Sequence, residues 1–256
     1  MRMNYEQAKA RERYKIKRKI ASSLGSGSES EVYRSDLVFK NGTKRRNVAV
    51  KEMIRRREVK YNSDIISQLS LKDRIVNAKK AYTSIKSAGL PVPSFFVPRI
   101  RTYSGRESII MENLRTKYGK LYSINPGHNN PRPVFLKKLK IEKDSVLIRN
   151  LGSDLATILN LGFLPHAMDF WSFYKTNGSY ERIISDLTLF THKRDSYYSN
   201  YSKDYFSKKV KNMLVTISAE LGSKEYDAFM DEFLHKVNKN TVSWNVNPTY
   251  AGHAYY

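Results

Sequence analysis

The chain has 256 residues, with 46 Lys and Arg against 24 Asp and Glu, a formal net charge of +22, and no cysteine. That length is enough for two lobes or two small domains with a real core, and the lack of cysteine excludes a disulfide framework and thiolate metal sites. The opening MRMNYEQAKARERYKIKRK has no signal-type apolar core and no later run is long enough to cross a bilayer, so the expectation is a soluble, cytoplasmic protein without a membrane partner.

Residues 4–19 are expected to form a charged helix, because Glu6, Lys9, Arg11, Glu12 and Lys15 are good helix formers and no Gly or Pro intervenes. Three strands follow. The first runs into a loop rich in Gly and Ser at Gly25, Ser26, Gly27 and Ser28. The second covers about 31–40, and the third follows an Asn41-Gly42 turn and ends in Val48-Ala49-Val50-Lys51. Gly25 and Gly27 remove side chains from the hairpin tip, so backbone N–H groups can approach a polyphosphate, and Val32 then returns an apolar side chain over a base. Lys51 is a cation at the end of an apolar strand, where an unpaired ammonium is costly and phosphate is an apt partner.

A helical region over 63–87 comes next, with Ser70 and Asp73 as its capping pair and Ile75, Ala78, Tyr82 and Ile85 at helical spacing. Gly89 and Pro91 stop it. Residues 95–103 and 107–114 read as two strands around Ser104-Gly105, the second apolar on both faces up to Met111 and then abruptly polar. Residues 115–142 form a basic segment with Pro and Gly, read as loop or insertion. A helix over 144–160 is expected to bury Val146, Leu147, Leu151, Leu155, Ile158 and Leu159, with Gly152 tolerated inside it. A loop with His166 and Asp169 then leads to a hairpin, 170–175 and 180–185, around Thr176-Asn177-Gly178-Ser179, and on to Asp186-Leu187-Thr188. Two helices, 203–221 and 223–239, precede a tail with Trp244 and Tyr250.

Taken in order, these segments resemble the protein-kinase-like superfamily. Gly25-x-Gly27-x-x-Ser30-x-Val32 is similar to G-x-G-x-x-G-x-V, with Ser30 for the third glycine, and Val48-Ala49-Val50-Lys51 is similar to V-A-I-K. Ile109-Ile110-Met111-Glu112-Asn113-Leu114 resembles the interlobe hinge, and Asp186-Leu187-Thr188 stands where D-F-G would be. With no A-P-E-like element after it, the chain is more similar to the RIO, lipopolysaccharide-kinase and small-molecule phosphotransferase branches than to eukaryotic-type protein kinases. The resemblance implies an α+β, two-lobed fold: a basic helix at 1–19, an N-lobe at 20–114 with a five-stranded antiparallel sheet plus helix, and a reduced, mainly helical C-lobe at 115–256 that carries the basic insertion 115–142.

The resemblance also implies ATP- and Mg²⁺-dependent phosphotransfer to an alcohol group, as by an atypical, minimal protein Ser/Thr kinase. Gly25, Ser26, Gly27 and Ser28 would surround the phosphates, Val32, Ala49, Met111, Glu112 and Leu114 would frame the base, and Lys51 would grip phosphate. Asp186 and Asp169 would hold metal, Asp169 would also orient the acceptor hydroxyl, and Asp169, Lys51 and His166 would be the catalytic set. Two departures stand out. The helix after Lys51 offers Asp64 and Asp73 but no Glu in its middle turns, so Asp73, Glu52 or Glu58 pairs with the lysine, or the ion pair is absent. The loop departs from H-R-D-L-x-x-x-N: with His166 in the family's His position the acid slips to Asp169, whereas with the hairpin as ruler Asp169 falls nearer the second metal ligand and the base is His166 or nobody.

Basic residues concentrate at 9–19, 44–60, 137–143 and 203–211, a field that attracts RNA, DNA, a ribonucleoprotein or an acidic protein without sequence specificity. A catalytically impaired scaffold docking on such a partner is the alternative to an enzyme. The 18 tyrosines follow no nucleic-acid module and read mostly as amphipathic packing. Five histidines without His-Glu-x-x-His spacing make a poor metal hydrolase.

Overall fold

A computed structural model of the chain describes residues 14–26, 30–39, 44–53, 71–101, 107–123, 136, 145–166, 168–192 and 203–238. The chain divides into two compact units, Met1–Tyr82 with Pro93–Gly119, and Thr83–Val92 with Lys120–Tyr256. Among the described residues no helix is long and apolar enough to cross a membrane.

In the first unit, Val48, Ala49 and Val50 are apolar at consecutive positions, hence on both faces of a strand, and all three are buried. Their strand, β3 (Lys44–Met53), is the middle one of a five-stranded sheet. With β1 (Tyr14–Ser26), β2 (Ser30–Phe39), β4 (Phe96–Arg101) and β5 (Glu107–Glu112), the order is β1-β2-β3-β5-β4. Each neighbouring pair is antiparallel. Tyr33, Val48, Val50 and Ile110 form the buried cluster on one face, with Phe95 and Val97 against it. The helix α1 (Leu71–Ser87) follows β3; the rest of the expected helical region, 63–70, lies outside the described residues.

β1 overturns part of an expectation. The charged helix anticipated over 4–19 gives way to strand from Tyr14 onward, while residues 4–13 lie outside the described residues. The strand signal was present in Tyr14-Lys15-Ile16-Lys17, where apolar and cationic residues alternate with period two. Pairing with a long partner strand overrides the good helix propensity of lysine and arginine, which is a fraction of a kcal/mol per residue.

α1 ends as its sequence directs. Gly89 takes φ +79°, the Leu90 N–H donates to the Ile85 carbonyl at 3.2 Å, and the Gly89 N–H donates to the Lys86 carbonyl at 3.0 Å, the two bonds of a Schellman cap. The Pro91 carbonyl then accepts the Ile184 N–H at 2.8 Å. Both residues belong to the second unit, to which Thr83–Val92 are assigned.

The second unit is built on α3 (Ser145–Asn160), against which the last helix, α5 (Ser223–Lys236), packs; α4 (Lys203–Glu220) precedes that last helix. α3 buries Leu147, Ile148, Leu151, Leu155, Ala156, Ile158 and Leu159, but Val146 is 67% exposed, contrary to the expected buried face. Gly152 is required at its position. A Cβ there would meet the Phe229 carbonyl oxygen and lie 3.2 Å from the Phe233 nitrogen, both backbone atoms of α5. Asn160 clamps the end of α5, its amide donating to the Lys236 carbonyl at 2.8 Å and its oxygen accepting the Asn238 N–H at 2.8 Å.

Five short strands accompany these helices, two of them forming the expected hairpin. β7 (Phe163–Pro165) pairs with β10 (Phe190–His192), and β6 (Tyr122–Ser123), β8 (Trp171–Thr176) and β9 (Ser179–Ile184) form a three-stranded sheet. Asn177 and Gly178 join β8 to β9 with φ of 49° and 88°, the left-handed pair of a type I′ turn. The segment 115–142 is therefore not wholly loop. It contributes β6 and most of a short helix, α2 (Leu114–Tyr118), and Leu136 is buried with its N–H on Glu220.

Candidate functional site

Strand pairing decides which expected residues of the first unit meet. Cross-strand partners project from the same face of a sheet and neighbours along a strand from opposite faces. Val32 pairs with Lys51 and Lys51 with Ile109, which puts these three in one row. Ala49 pairs with Arg34 and Met111, and Met111 with Phe96, the next row on the same face. Val32, Ala49, Lys51 and Met111 thus share one face, and α1 reaches it where Tyr82 stacks on Phe96 with ring centroids 5.1 Å apart. Lys51 is only 8% exposed. At the hairpin end, Gly25 pairs with Val32 and Ser26 with Glu31; Gly27 and Ser28 lie outside the described residues.

Two other expected residues face elsewhere. Glu112 pairs with Val48 and so projects from the opposite face. There its carboxylate accepts the Ser94 N–H at 2.8 Å and meets the Lys117 ammonium at 3.1 Å. Burial alone would raise its pKa, but the Ser94 and Lys117 contacts outweigh burial and hold the carboxyl below the ordinary glutamate value. Leu114 is buried as the first residue of α2, behind Asn113, whose side chain accepts the Thr116 N–H and caps the helix. The backbone of Glu112 and Leu114 is what a hinge role would use.

Of the partners considered for Lys51, Glu52 is set on the opposite face, buried, with the Tyr33 hydroxyl donating to it at 2.7 Å. Glu58 and Asp64 lie outside the described residues. Asp73 is half-buried in the first turn of α1, and the buried polar side chains of that helix are Arg74 and Asn77, so no glutamate occupies its inner face.

In the second unit, His166 follows β7 and its Nε2 lies 2.8 Å from the Thr191 hydroxyl on β10. Asp169 sits in a 3₁₀ turn, Met168–Phe170, that leads directly into β8. The carbonyl of the next residue, Phe170, accepts the Ser185 N–H at 2.8 Å and the Asp186 N–H at 3.3 Å. The backbone at Asp186 is therefore bonded to the residue beside Asp169. Asp186 caps a second 3₁₀ turn, Leu187–Leu189, its Oδ1 accepting the Thr188 N–H at 3.1 Å and the Thr188 hydroxyl at 2.6 Å. The Ser172 and Ser185 hydroxyls, 2.6 Å apart, tie the two strands together one residue before Asp186.

Two positioning features escaped the sequence reading. Thr188 fixes the Asp186 carboxylate, and the local signal was the Asp-x-Thr spacing of a side-chain cap. Arg182 on β9 grips Asp154 on α3 with hydrogen bonds of 2.9 and 3.0 Å, side chains 15% and 4% exposed respectively. Burial pushes the Asp154 carboxyl above the ordinary aspartate value, and the Arg182 contact offsets this only in part. No local pattern announces that pair.

Asp186, its carboxylate held by Thr188, is a single candidate oxygen ligand for a hard cation such as Mg²⁺. Mg²⁺ takes one or two protein carboxylates and completes its shell with phosphate and water. Among the described residues no group of three or more His, Asp or Glu gathers as a self-sufficient metal cage. Lys51 belongs to the first unit, and Asp169 and Asp186 to the second.

No protein-family model matches the chain, and no curated protein is similar to it at a significant level. Among solved structures it is similar to the Rio2 kinase–ADP/Mg²⁺–phosphoaspartate complex of Chaetomium thermophilum, at 14% identity over 93% of this chain and 66% of that one, with a TM-score of 0.43. It is similar to the proinflammatory kinase CtkA of Helicobacter pylori at 11% identity, covering 90% of this chain and 83% of that one, TM-score 0.46. A third likeness is to Cex1p, 14% identical over 92% of this chain and 43% of that one, TM-score 0.39. The chain thus spans just under two thirds of the Rio2 chain it matches.

Proposed function

We propose that the chain is an ATP- and Mg²⁺-dependent phosphotransferase of two-lobed, protein-kinase-like type, an atypical, minimal kinase acting on a protein Ser or Thr hydroxyl. The observation that carries this reading is the register that gathers Val32, Ala49, Lys51 and Met111 on one sheet face. The kinase-like motifs draw their nucleotide contacts from these four positions. The bond from Asp186 N–H to the Phe170 carbonyl, beside Asp169, is the second support.

Bound Mg²⁺ would neutralise phosphate charge and orient the transferred group. Asp186, its Oδ1 fixed by Thr188, and Asp169 would hold the ion. Lys51 would supply positive charge to the phosphates. The 166–170 connection between β7 and β8 is shorter than H-R-D-L-x-x-x-N, and Asp169 stands two residues before β8. That favours the hairpin as ruler, with Asp169 as second metal ligand and His166 nearest the acceptor. Phosphoryl transfer passes through a loose transition state in which positioning and charge stabilisation do most of the catalysis, so a weak base slows the reaction without abolishing it. The test is labelled ATP with Mg²⁺ and purified protein, alone and with cell extract. Transfer lost in both Lys51→Ala and Asp186→Ala is the expected result, and no transfer by the wild type overturns the reading.

A second reading, a scaffold that binds a polyanion without transferring phosphate, is favoured by one observation: the inner face of α1 presents Arg74 and Asn77 where a kinase helix presents glutamate. Polyanion binding with steep salt dependence, intact in Lys51→Ala and Asp186→Ala while no phosphate moves, would select it.

A further inference from the structure

The outer end of the three-stranded sheet carries an aromatic and basic row outside the proposed nucleotide site. Strand pairing sets Lys175 beside Tyr180 at the hairpin end. The Tyr180 and Tyr122 rings meet edge to face, centroids 6.0 Å apart at 77°. The Lys120 ammonium lies over the Tyr122 ring, 5.0 Å from its centroid. Lys120, Tyr122, Tyr180 and Lys175 therefore form one continuous row.

Further in along the same face, Phe173 pairs with both Tyr122 and Arg182. There the face is committed: Phe173 is fully buried, and Arg182 is bound to Asp154. The outer row is open by contrast, with Lys120 and Lys175 exposed and both tyrosines half-buried. The acidic residue of the hairpin, Glu181, pairs with Tyr174 and projects from the other face. The row thus places two half-buried tyrosine rings between two exposed lysines, with the hairpin's carboxylate on the other face.

We infer that this row binds single-stranded nucleic acid, bases stacking on Tyr122 and Tyr180 while Lys120 and Lys175 meet phosphates. A duplex keeps its bases stacked on one another and does not offer them to aromatic side chains, whereas an extended strand supplies both bases and charge. An acidic peptide would engage the lysines and leave the tyrosine faces idle. Lys120 over its ring is a weak cation–π contact that an arriving phosphate can displace, which exposes the ring to a base. The net charge of +22 raises the encounter rate for any polyanion, and the row adds the preference for a single strand. The inference stands apart from phosphotransfer, since none of its residues belongs to the proposed nucleotide site.

The test is fluorescence anisotropy of the full chain with a labelled oligouridylate, an oligodeoxythymidylate and a duplex of matched length. Tyr122→Ala with Tyr180→Ala should weaken single-strand binding roughly 10-fold or more and leave duplex binding unchanged, while the Tyr→Phe pair keeps wild-type affinity. Lys120→Glu with Lys175→Glu, both exposed and safe for folding, should weaken single-strand binding and lower its salt slope by roughly one to two. Wild-type affinity for the oligonucleotides in the lysine variant, or in an alanine variant that melts normally, overturns the inference. Equal loss of duplex and single-strand binding in the alanine variant overturns it too, by reducing the row to bare charge.

Discussion

The Asp154–Arg182 pair offers the most demanding prediction about the second unit. It joins α3 to β9, the strand that ends at Ile184 and delivers Asp186, so it braces the segment that carries the candidate metal ligand. Arg182→Met keeps the aliphatic stem and removes the guanidinium, which leaves a carboxylate of 4% exposure without its counter-charge. Stranding a buried charge in this way costs about 3–5 kcal/mol, a large part of a total stability of about 5–15 kcal/mol. Replacing both members, as Asp154→Leu with Arg182→Met, removes the desolvated charge as well and should return stability to within about 1–2 kcal/mol of wild type.

The pH dependence has a definite sign. Burial raises the folded pKa of Asp154 above its unfolded value, so its contribution to stability is fully present below that unfolded value and lost as pH rises through the folded pKa. Losing Arg182 raises the folded pKa further, so the deficit of Arg182→Met should be largest near neutrality and shrink in acid. Urea unfolding followed by the fluorescence of Trp171, a fully buried residue, reads both effects between roughly pH 4 and pH 7. A deficit that does not change with pH, or a double variant as unstable as the single one, would refute the reasoning.

Gly152→Ala gains about 1 kcal/mol of helix propensity but drives a Cβ into the backbone of α5, an overpacking cost of about 1–3 kcal/mol that no rotamer change relieves. A net loss in the urea midpoint is expected, and a stabilised variant would contradict the close helix crossing. Asn160→Ala removes both hydrogen bonds at the end of α5 and should cost about 1–2 kcal/mol, with Asn160→Asp intermediate because it keeps the acceptor for the Asn238 N–H. Glu112 has a lowered folded pKa, so its stabilisation is present above its unfolded value and lost as pH falls through the folded one. The stability gap between wild type and Glu112→Gln should therefore close in acid, and a gap that widens there would contradict the Ser94 and Lys117 contacts.

What could be read from the sequence was local. Val48-Ala49-Val50 declared an apolar strand, Thr176-Asn177-Gly178-Ser179 declared a hairpin turn, and Gly89 declared a helix end, because each follows from the backbone preferences of a few adjacent residues. β1 was misread because the helix propensity of lysine and arginine is a weak prior that strand pairing overrode. Val146 was misplaced because a helix's buried face is set by what packs on it, here α5 and the hairpin, and not by its own apolar residues alone. In the candidate site, residue types were legible and their partnerships were not. Arg182 lies 28 positions from Asp154 and Thr191 lies 25 from His166, and no periodicity links residues so far apart. The roles of His166 and Asp169 stayed open for the same reason, since they turn on where β8 begins.

The two proposed roles, Lys51 on the nucleotide and Asp186 on Mg²⁺, can be separated in one titration. Thermal melting of the wild type, Lys51→Ala and Asp186→Ala is followed against ATP with and without Mg²⁺, since a ligand that binds only the native state must raise its melting temperature. The wild type should be stabilised by ATP and more so with Mg²⁺, Lys51→Ala should lose the response under both conditions, and Asp186→Ala should lose only the Mg²⁺-dependent part. A wild type indifferent to ATP, or an Asp186→Ala protein that still responds to Mg²⁺ in full, would contradict the proposed site.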